Sequence, residues 1–214
     1  MTQPLLPPPL SIYCINLDHR TDRWASFQST IQNTPVEQSV TRFSAIYRPQ
    51  GVHGCRESHF AVIRKAQELG LDWVGIMEDD CAFYPHFSDM FSSILSKLWI
   101  NKSEWDIFNS GPIDINSAYR FDDPPLIRVD TCTCLQFIIV NSSAYSKILD
   151  SYILGVSEGG VDLYYRDICT RRILTCTPPL TYQINSRSDV QDGYNIGETD
   201  EFKKAYDKLA IFRR

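Results

Sequence analysis

The chain has 214 residues, of which 43% are hydrophobic and 22% are charged, and its formal net charge is −5. This length and composition are typical of one soluble α/β domain that buries its own core. The acidic balance, with no run of Lys or Arg longer than a pair, argues against the basic surface that nucleic-acid binding requires. We therefore expect no nucleic-acid partner.

Proline marks the start of the chain. Residues 1–10 contain four prolines, which fix the backbone and remove hydrogen-bond donors, so we expect an extended lead-in before a single domain over residues 11–214. The sequence shows no signal-peptide pattern, and its apolar runs are shorter than the ~20 residues of a membrane span. The seven cysteines, an odd number, are typical of reduced thiols. We expect a cytoplasmic protein.

Apolar periodicity predicts alternating strands and helices in the first half of the chain. The predicted elements, in order, are a buried strand over Ser11–Leu17, a helix that begins near Asp18 or Thr21, a weaker strand over Glu37–Ile46, a loop over Gly51–Gly54, a helix over Arg56–Leu69, a buried strand over Trp73–Met77 and a helix over Phe87–Ile100.

The second half continues the alternation. Its predicted elements are a strand over Trp105–Phe108, a polar loop over Gly111–Pro125, a buried strand over Leu135–Val140, a helix over Ser142–Leu154, a break at Gly159–Gly160, a helix over Val161–Thr170, strands over Ile173–Cys176 and Leu180–Ile184, and a helix near Glu198–Leu209. Strands separated by helices predict an α/β fold, a three-layer α/β/α sandwich with a mainly parallel mixed sheet.

Three consecutive carboxylates, Glu78, Asp79 and Asp80, follow the buried strand over Trp73–Met77. Ligands of open α/β sheets bind at the carboxyl ends of strands, and adjacent carboxylates repel one another unless a cation lies among them. A divalent metal that bridges a diphosphate suits this chemistry. A solvated acidic turn is the alternative, and the triplet alone leaves both open.

A second polar motif, NLDHRTDR over Asn16–Arg23, also follows a buried strand. Asn16, Arg20 and Arg23 in this position suit recognition of a base or a diphosphate, because the guanidinium group binds planar anions through several hydrogen bonds. The alternative is a capped helix start with surface ion pairs.

A third motif, GCRESH over Gly54–His59, places a glycine turn before a predicted helix. Free backbone N–H groups at a helix N-terminus bind anions. Cys55 lacks an evident paired base, so packing is the better interpretation of its thiol than nucleophilic catalysis. His59, taken alone, is also read as structural.

Together these motifs resemble glycosyltransferase family 25, which includes bacterial lipopolysaccharide-type galactosyltransferases, collagen galactosyltransferase-like proteins and large-DNA-virus homologues. The family's Asn-Leu-Asp, Gly-Cys-x-x-Ser-His and Glu-Asp-Asp motifs stand here at residues 16–18, 54–59 and 78–80. The resemblance covers roughly residues 11 to 190. It is specific in the first half and less so afterwards, and residues 114–130 match no family landmark.

The resemblance implies a GT-A-like nucleotide-diphosphosugar transferase fold. It also implies that a hexose, such as galactose or glucose, is moved from a UDP-sugar to a hydroxyl of a glycan or glycoprotein acceptor, with inversion. The implied cofactor is Mn²⁺ or another divalent cation. For a viral member, the expected location is the host cytoplasm.

Motif position and resemblance together give the expected site residues. The expected metal ligands are Asp80 and Asp189, the latter with a surface turn as its alternative. The expected donor-binding residues are Asn16, Leu17, Arg20, Arg23, Ser58, His59, Glu78 and Asp79.

For the acceptor side, we expect Asp162 to be the general base, with a helix N-cap as the alternative role. The expected acceptor-binding residues, chosen from their position at a strand end, are Asn109, Ser110 and Gly111. A catalytically silent nucleotide-sugar-binding homologue and an acidic interaction domain are the competing functions.

Overall fold

Strands and helices alternate along the chain in the computed structural model, which describes residues 6–153, 160–184, 186–187, 194–195 and 200–212. The helices are α1 Thr21–Ile31, α2 Gly51–Glu68, α3 Phe87–Ile100, α4 Ser142–Ile153, α5 Val161–Ile168 and α6 Asp200–Ala210, with a short 3-10 helix over Glu37–Ser39. The strands are β1 Ser11–Asn16, β2 Val40–Ser44, β3 Trp73–Glu78, β4 Cys81–Phe83, β5 Ile107–Asn109, β6 Ala118–Arg120, β7 Leu126–Val129, β8 Phe137–Asn141, β9 Ile173–Cys176, β10 Thr181–Gln183, β11 Ser186–Arg187 and β12 Tyr194–Asn195.

The main sheet contains eight strands in the order β2-β1-β3-β8-β5-β9-β7-β6. Strands β2, β1, β3, β5 and β9 run in one direction, and β8 and β7 run against them. The carboxyl ends of β1, β2 and β3 therefore meet at one edge of the sheet. Strand β8 begins at the same edge, because Phe137 lies opposite Met77.

Two apolar cores lie on opposite faces of this sheet. Phe60 and Ile63 of α2 and Ile148 of α4 pack on one face with side chains of α5 and α6. Phe27 of α1 and Phe91 of α3 pack on the other. Because both faces are covered, β3 and β8 are apolar up to their last residues, Glu78 and Asn141, rather than alternating. The expected three-layer α/β/α sandwich with a mixed sheet is confirmed.

Several predicted boundaries were wrong, and some short strands were missed. Residues 37–39 form a 3-10 helix rather than the start of a strand, and residues 51–54 form the first turn of α2 rather than a loop. The expected polar loop over 111–125 contains β6, and β4 and β7 were not predicted. No helix in the described parts of the chain has the length and hydrophobicity of a transmembrane span.

The close approach of α2 to the backbone at Ile46 requires a glycine at position 54. A Cβ atom at this position would lie 2.4 Å from the backbone oxygen of Ile46, so only glycine lets the helix approach the end of β2. Alanine normally stabilises a helix interior by ~1 kcal/mol relative to glycine. We expect Gly54→Ala to have the opposite sign and to lower the free energy of unfolding by about 1–3 kcal/mol, the usual cost of overpacking.

Urea unfolding followed by circular dichroism measures this difference. Glu68→Ala is the control, because Glu68 is exposed on the same helix and should change the free energy of unfolding by less than about 0.5 kcal/mol. An increase in stability of Gly54→Ala would contradict the observed contact.

Candidate active site

The acidic triplet lies at the carboxyl end of β3, beside the ends of β1 and β2. Glu78 closes β3 opposite Ile15, and Asn16 at the end of β1 pairs in register with Ser44. Asp79 and Asp80 are 6% and 2% exposed. A solvated acidic turn would expose these carboxylates, so the alternative offered by the sequence does not describe the geometry.

Arg23, from the first turns of α1, supplies a positive charge to the triplet. Its Nη2 atom lies 2.7 Å from Asp79 Oδ1 and 2.6 Å from Asp80 Oδ2. All three side chains are largely buried. The repulsion between the carboxylates is thus offset in part by a cation of the protein itself.

Asn16 connects the first motif to the acidic triplet. Its Nδ2 group donates a 2.6 Å hydrogen bond to Asp79 Oδ2, and its Oδ1 atom accepts a 2.8 Å bond from Arg42 Nε. Arg42 also donates to Asp18 Oδ1. Asn16 and Asp79, which are 63 positions apart in the sequence, are therefore in direct contact. The hydrogen bond from Arg42 fixes the orientation of the Asn16 side chain.

Burial dominates the electrostatics of the two aspartates. Burial raises the pKa of Asp79 above its ordinary value, against the opposing effects of Arg23 and Asn16. Burial also raises the pKa of Asp80 to about 7, and the negative charge of Glu78 adds to this rise. Burial therefore disfavours the ionised forms of Asp79 and Asp80. Any further cation near them would favour ionisation.

Glu78 turns away from the aspartates towards α2. Its Oε1 atom lies 3.5 Å from His59 Nε2 and 3.7 Å from Cys55 Sγ, and its Oε2 atom accepts a 3.4 Å bond from Gln183. Burial opposes ionisation of Glu78, but the neighbouring His59 side chain and the charge of Arg23 hold its pKa below the ordinary value. Glu78 is thus ionised and engaged with the GCRESH motif.

The third motif lies inside α2 rather than at its N-terminus, which corrects the expected anion site. Ser58 is fully buried, donates a 2.7 Å bond to Gly54 O and accepts a 2.8 Å bond from Ile46 N. His59 is also fully buried, and its Nδ1 atom lies 3.3 Å from Tyr165 Oη. Both side chains are therefore held by contacts within the protein. Their assignment to donor binding stays a prediction.

Asp162 lies in the first turn of α5. Gly160 occupies the N-cap position, and Asp162 Oδ1 accepts a 2.9 Å bond from the N–H of Leu163. The N-cap alternative is therefore wrong. Burial chiefly raises the pKa of Cys55, followed by the charge of Glu78, and the charges of Asp162 and Asp80 add to this rise. The negative charge of Asp162 therefore acts on the same thiol as those of Glu78 and Asp80.

Asn109, Ser110 and Gly111 join β5 to its neighbours from a buried position. Asn109 Nδ2 donates a 2.8 Å bond to Cys134 O, and Ser110 Oγ lies 2.7 Å from Phe137 O. A Cβ atom on Gly111 would lie 2.0 Å from Thr181 O. These contacts give the three residues a structural role, while their assignment to acceptor binding stays a prediction.

The remaining expected residues lie near the edge or outside the described structure. Arg20 forms a two-point ion pair with the exposed Asp22. Leu17 contributes its backbone oxygen, which accepts from Arg20 N and Arg42 Nη2. Asp189 lies outside the residues that the structure describes.

A shallow cavity lies beside β4, the strand that follows Asp80. Its volume is about 360 Å³, and its lining includes Phe83, Tyr84 and Tyr182. None of the three acidic residues lines it. The carboxylates and this aromatic surface are thus separate features, joined through β4, which begins directly after Asp80.

Two contributing residues were not identified from the sequence. Arg42 donates a hydrogen bond to Asn16. The only sign of this role in the sequence was the position of a charged residue in the strand predicted to follow β1. Tyr165 contacts His59, and only the position of α5 against α2 makes that contact visible.

No protein-family model matches the sequence, and no curated protein does either. Among solved structures, A197 from STIV is similar with a TM-score of 0.50 at 14% identity, over 89% of this chain and 95% of that chain. The glycosyltransferase GlyE of Streptococcus pneumoniae TIGR4 has a TM-score of 0.49 at 9% identity, over 95% and 62% of the chains. A glycosyltransferase involved in glycosylation of the major capsid of PBCV-1 has a TM-score of 0.43 at 11% identity, over 71% and 68%. At these identities the likeness concerns the fold alone.

Proposed function

We propose that the protein is a glycosyltransferase that moves a hexose from a UDP-sugar to a hydroxyl of a glycan or glycoprotein, with inversion. One observation carries the proposal. The three motifs that resemble family 25 lie far apart in the sequence, yet their side chains meet at one edge of the sheet, with Asn16 on Asp79, Arg23 on Asp79 and Asp80, and His59 beside Glu78. Membership of family 25 remains part of the proposal.

The donor chemistry of the triplet fits a hard divalent cation. Asp79 and Asp80 offer carboxylate oxygens, the ligands that Mn²⁺ and Mg²⁺ prefer. We propose Asp80 as the principal ligand, with Asp189 as a second. When bound, the cation supplies positive charge for the leaving diphosphate. Arg23 already bridges the two aspartates, so it is placed to share this charge with the diphosphate or to turn towards it.

The acceptor side of the proposal rests on Asp162. Direct displacement with inversion needs a base that removes the proton of the acceptor hydroxyl. Asp162 is half-buried at the start of α5, and its charge acts on Cys55 together with that of Glu78. On this basis we propose Asp162 as the base for the acceptor hydroxyl.

Thermal unfolding with UDP, GDP or CMP, each with and without Mn²⁺, tests the donor part of the proposal. A ligand of the native state raises the melting temperature, by an amount that grows with its concentration over Kd. We expect UDP to stabilise the protein only when Mn²⁺ is present, and a screen of UDP-sugars to show hydrolysis of one of them. Equal behaviour with and without the metal would remove the cation from the proposal.

A catalytically silent nucleotide-sugar-binding protein is the second candidate function. The observation that favours it is the ion pairing of Arg23, because an internal cation that neutralises Asp79 and Asp80 reduces the need for a metal. The two functions differ in turnover. A silent protein would bind UDP, with or without Mn²⁺, yet hydrolyse no UDP-sugar.

The pKa of Asp80, about 7, predicts how the effect of the metal depends on pH. Because the folded pKa lies above the ordinary value of about 3.9, protonated Asp80 stabilises the native state at low pH, and this contribution is lost as the pH rises through 7. A metal competes with that proton, so Mn²⁺ should bind roughly tenfold more tightly at pH 8 than at pH 6.

Melting temperatures recorded with and without Mn²⁺ at both pH values measure this difference. Asp22→Asn, which changes an exposed aspartate beside Arg20, is the control and should preserve it. A stabilisation by Mn²⁺ that is equal at pH 6 and pH 8, or greater at pH 6, would contradict the assignment of Asp80.

A further inference from the structure

We infer that Cys55, His59 and Glu78 form a second metal site, which takes a borderline-soft ion such as Zn²⁺ and is distinct from the proposed Mn²⁺ site. One ligand atom from each residue lies within 4.8 Å of the other two. Thiolate and imidazole select Zn²⁺ over Mn²⁺ or Mg²⁺, whereas the neighbouring Asp79 and Asp80 offer only oxygen. The inference does not depend on sugar transfer.

The geometry of α2 and β3 builds this site. Cys55 and His59 are four residues apart on α2, so their side chains lie on the same face of the helix. That face is turned towards the end of β3, where Glu78 projects its Oε1 atom between them. The arrangement brings three types of ligand to one point from two rigid elements.

The distances suit a shared ion, which would take the place of the hydrogen bond from Cys55 to Glu78. His59 Nε2 lies 3.5 Å from Glu78 Oε1, which is beyond the usual range of an N–H···O bond. With metal–ligand distances of about 2.0–2.3 Å, two ligands of a tetrahedral Zn²⁺ lie about 3.3–3.6 Å apart. The observed 3.5 Å and the 3.7 Å between Cys55 Sγ and Glu78 Oε1 are close to such an edge.

His59 supplies the second, independent observation. Its side chain is fully buried, and its Nε2 atom, which faces Glu78, has no hydrogen-bond partner. The other ring nitrogen lies 3.3 Å from Tyr165 Oη, as the orienting partner of a metal-binding histidine does. A thiolate and a carboxylate balance the charge of a divalent ion, and the three protein ligands leave one tetrahedral position open.

Titration of the metal-free full-length protein with Co²⁺ tests the site without any nucleotide. We expect one equivalent of Co²⁺ to produce thiolate-to-cobalt charge-transfer absorption and the intense visible bands of a four-coordinate ion, both removed by Zn²⁺. Cys55→Ser and His59→Ala should lose the charge-transfer band or bind too weakly to show it. Asp80→Asn should keep it, so failure here is distinguishable from failure of the nucleotide site.

Cys134→Ser is the matched control. Like Cys55, Cys134 is a partly buried free cysteine; burial chiefly raises its pKa, with Glu78 and Asp80 adding, but it is not a member of the cluster. Its substitution should leave the band intact. Absence of the band in the unsubstituted protein, or its survival in Cys55→Ser, would overturn the inference.

A measurement on the unsubstituted protein covers the case in which Cys55→Ser fails to fold. Alkylation followed by peptide mapping reports each cysteine separately. Zn²⁺ should slow alkylation of Cys55 and leave that of Cys134 unchanged. Equal alkylation of Cys55 with and without Zn²⁺ would overturn the inference.

Discussion

Asp80→Asn should abolish the Mn²⁺-dependent stabilisation by UDP. At a ligand concentration of 100 times Kd, binding stabilises the native protein by about 2.7 kcal/mol, and we expect this to fall to near zero. The carboxamide keeps the size of the side chain but loses the negative charge that a divalent ion requires. Sugar transfer should fall by about 10²–10³-fold, the usual loss when one electrostatic stabiliser of a transition state is removed.

The substitution also separates loss of the metal from loss of the fold. Because burial raises the pKa of Asp80 to about 7, a neutral side chain relieves the cost of a buried charge at pH 8, although Arg23 loses its ion pair with Asp80. The melting temperature without ligand should therefore stay close to that of the unsubstituted protein. An unchanged response to UDP and Mn²⁺ in Asp80→Asn would remove Asp80 from the metal site.

Asp162→Asn should retain binding of the nucleotide and lose transfer. Asn cannot take the proton of the acceptor hydroxyl, and loss of a general base costs about 10²–10⁴-fold in rate. Its size and its ability to accept the hydrogen bond from Leu163 N are preserved, so the first turn of α5 should persist. The melting-temperature shift with UDP and Mn²⁺ should match that of the unsubstituted protein, while kcat for transfer falls.

Asp167→Asn provides the comparison on the same helix. Asp167 is exposed and pairs with Arg166, so its substitution makes the same chemical change away from the site. We expect it to leave kcat within about twofold of normal, since surface ion pairs contribute little. Transfer at a near-normal rate by Asp162→Asn would rule out Asp162 as the base.

The layers of the fold followed from sequence because the adjacent strands β3 and β8 are apolar up to their last residues. Residues such as Val74 and Ile139, which face opposite cores, leave no alternation and indicate strands covered on both sides. The position of the acidic triplet at a strand end followed as well, since β3 runs directly into Glu78.

Contacts distant in sequence were harder to foresee. The sequence around Arg23 does not indicate that it pairs with Asp79 and Asp80. The sequence around Arg42 does not indicate that it binds Asn16. Both contacts depend on the pairing of β1 with its neighbours. Arg23 was expected to bind the donor, and the structure shows that its first partners are the carboxylates.

The first turn of α2 and strand β6 were not predicted because each depends on a contact with a distant part of the chain. Gly54 reads as a turn residue in the sequence, yet it serves as a contact point between α2 and the backbone at Ile46. Strand β6 lies in a polar segment and gains its stability from pairing with β7. In each case a tertiary contact overrides a local preference.

Anomalous diffraction from a crystal soaked with Mn²⁺ and UDP would locate the cation relative to Asp80. We expect a manganese peak within about 2.0–2.6 Å, the range of hard divalent cations, of an Asp80 carboxylate oxygen, and the diphosphate of UDP beside the ion. An ordered UDP with no manganese between it and Asp80, or manganese bound elsewhere while Arg23 still bridges Asp79 and Asp80, would contradict this expectation.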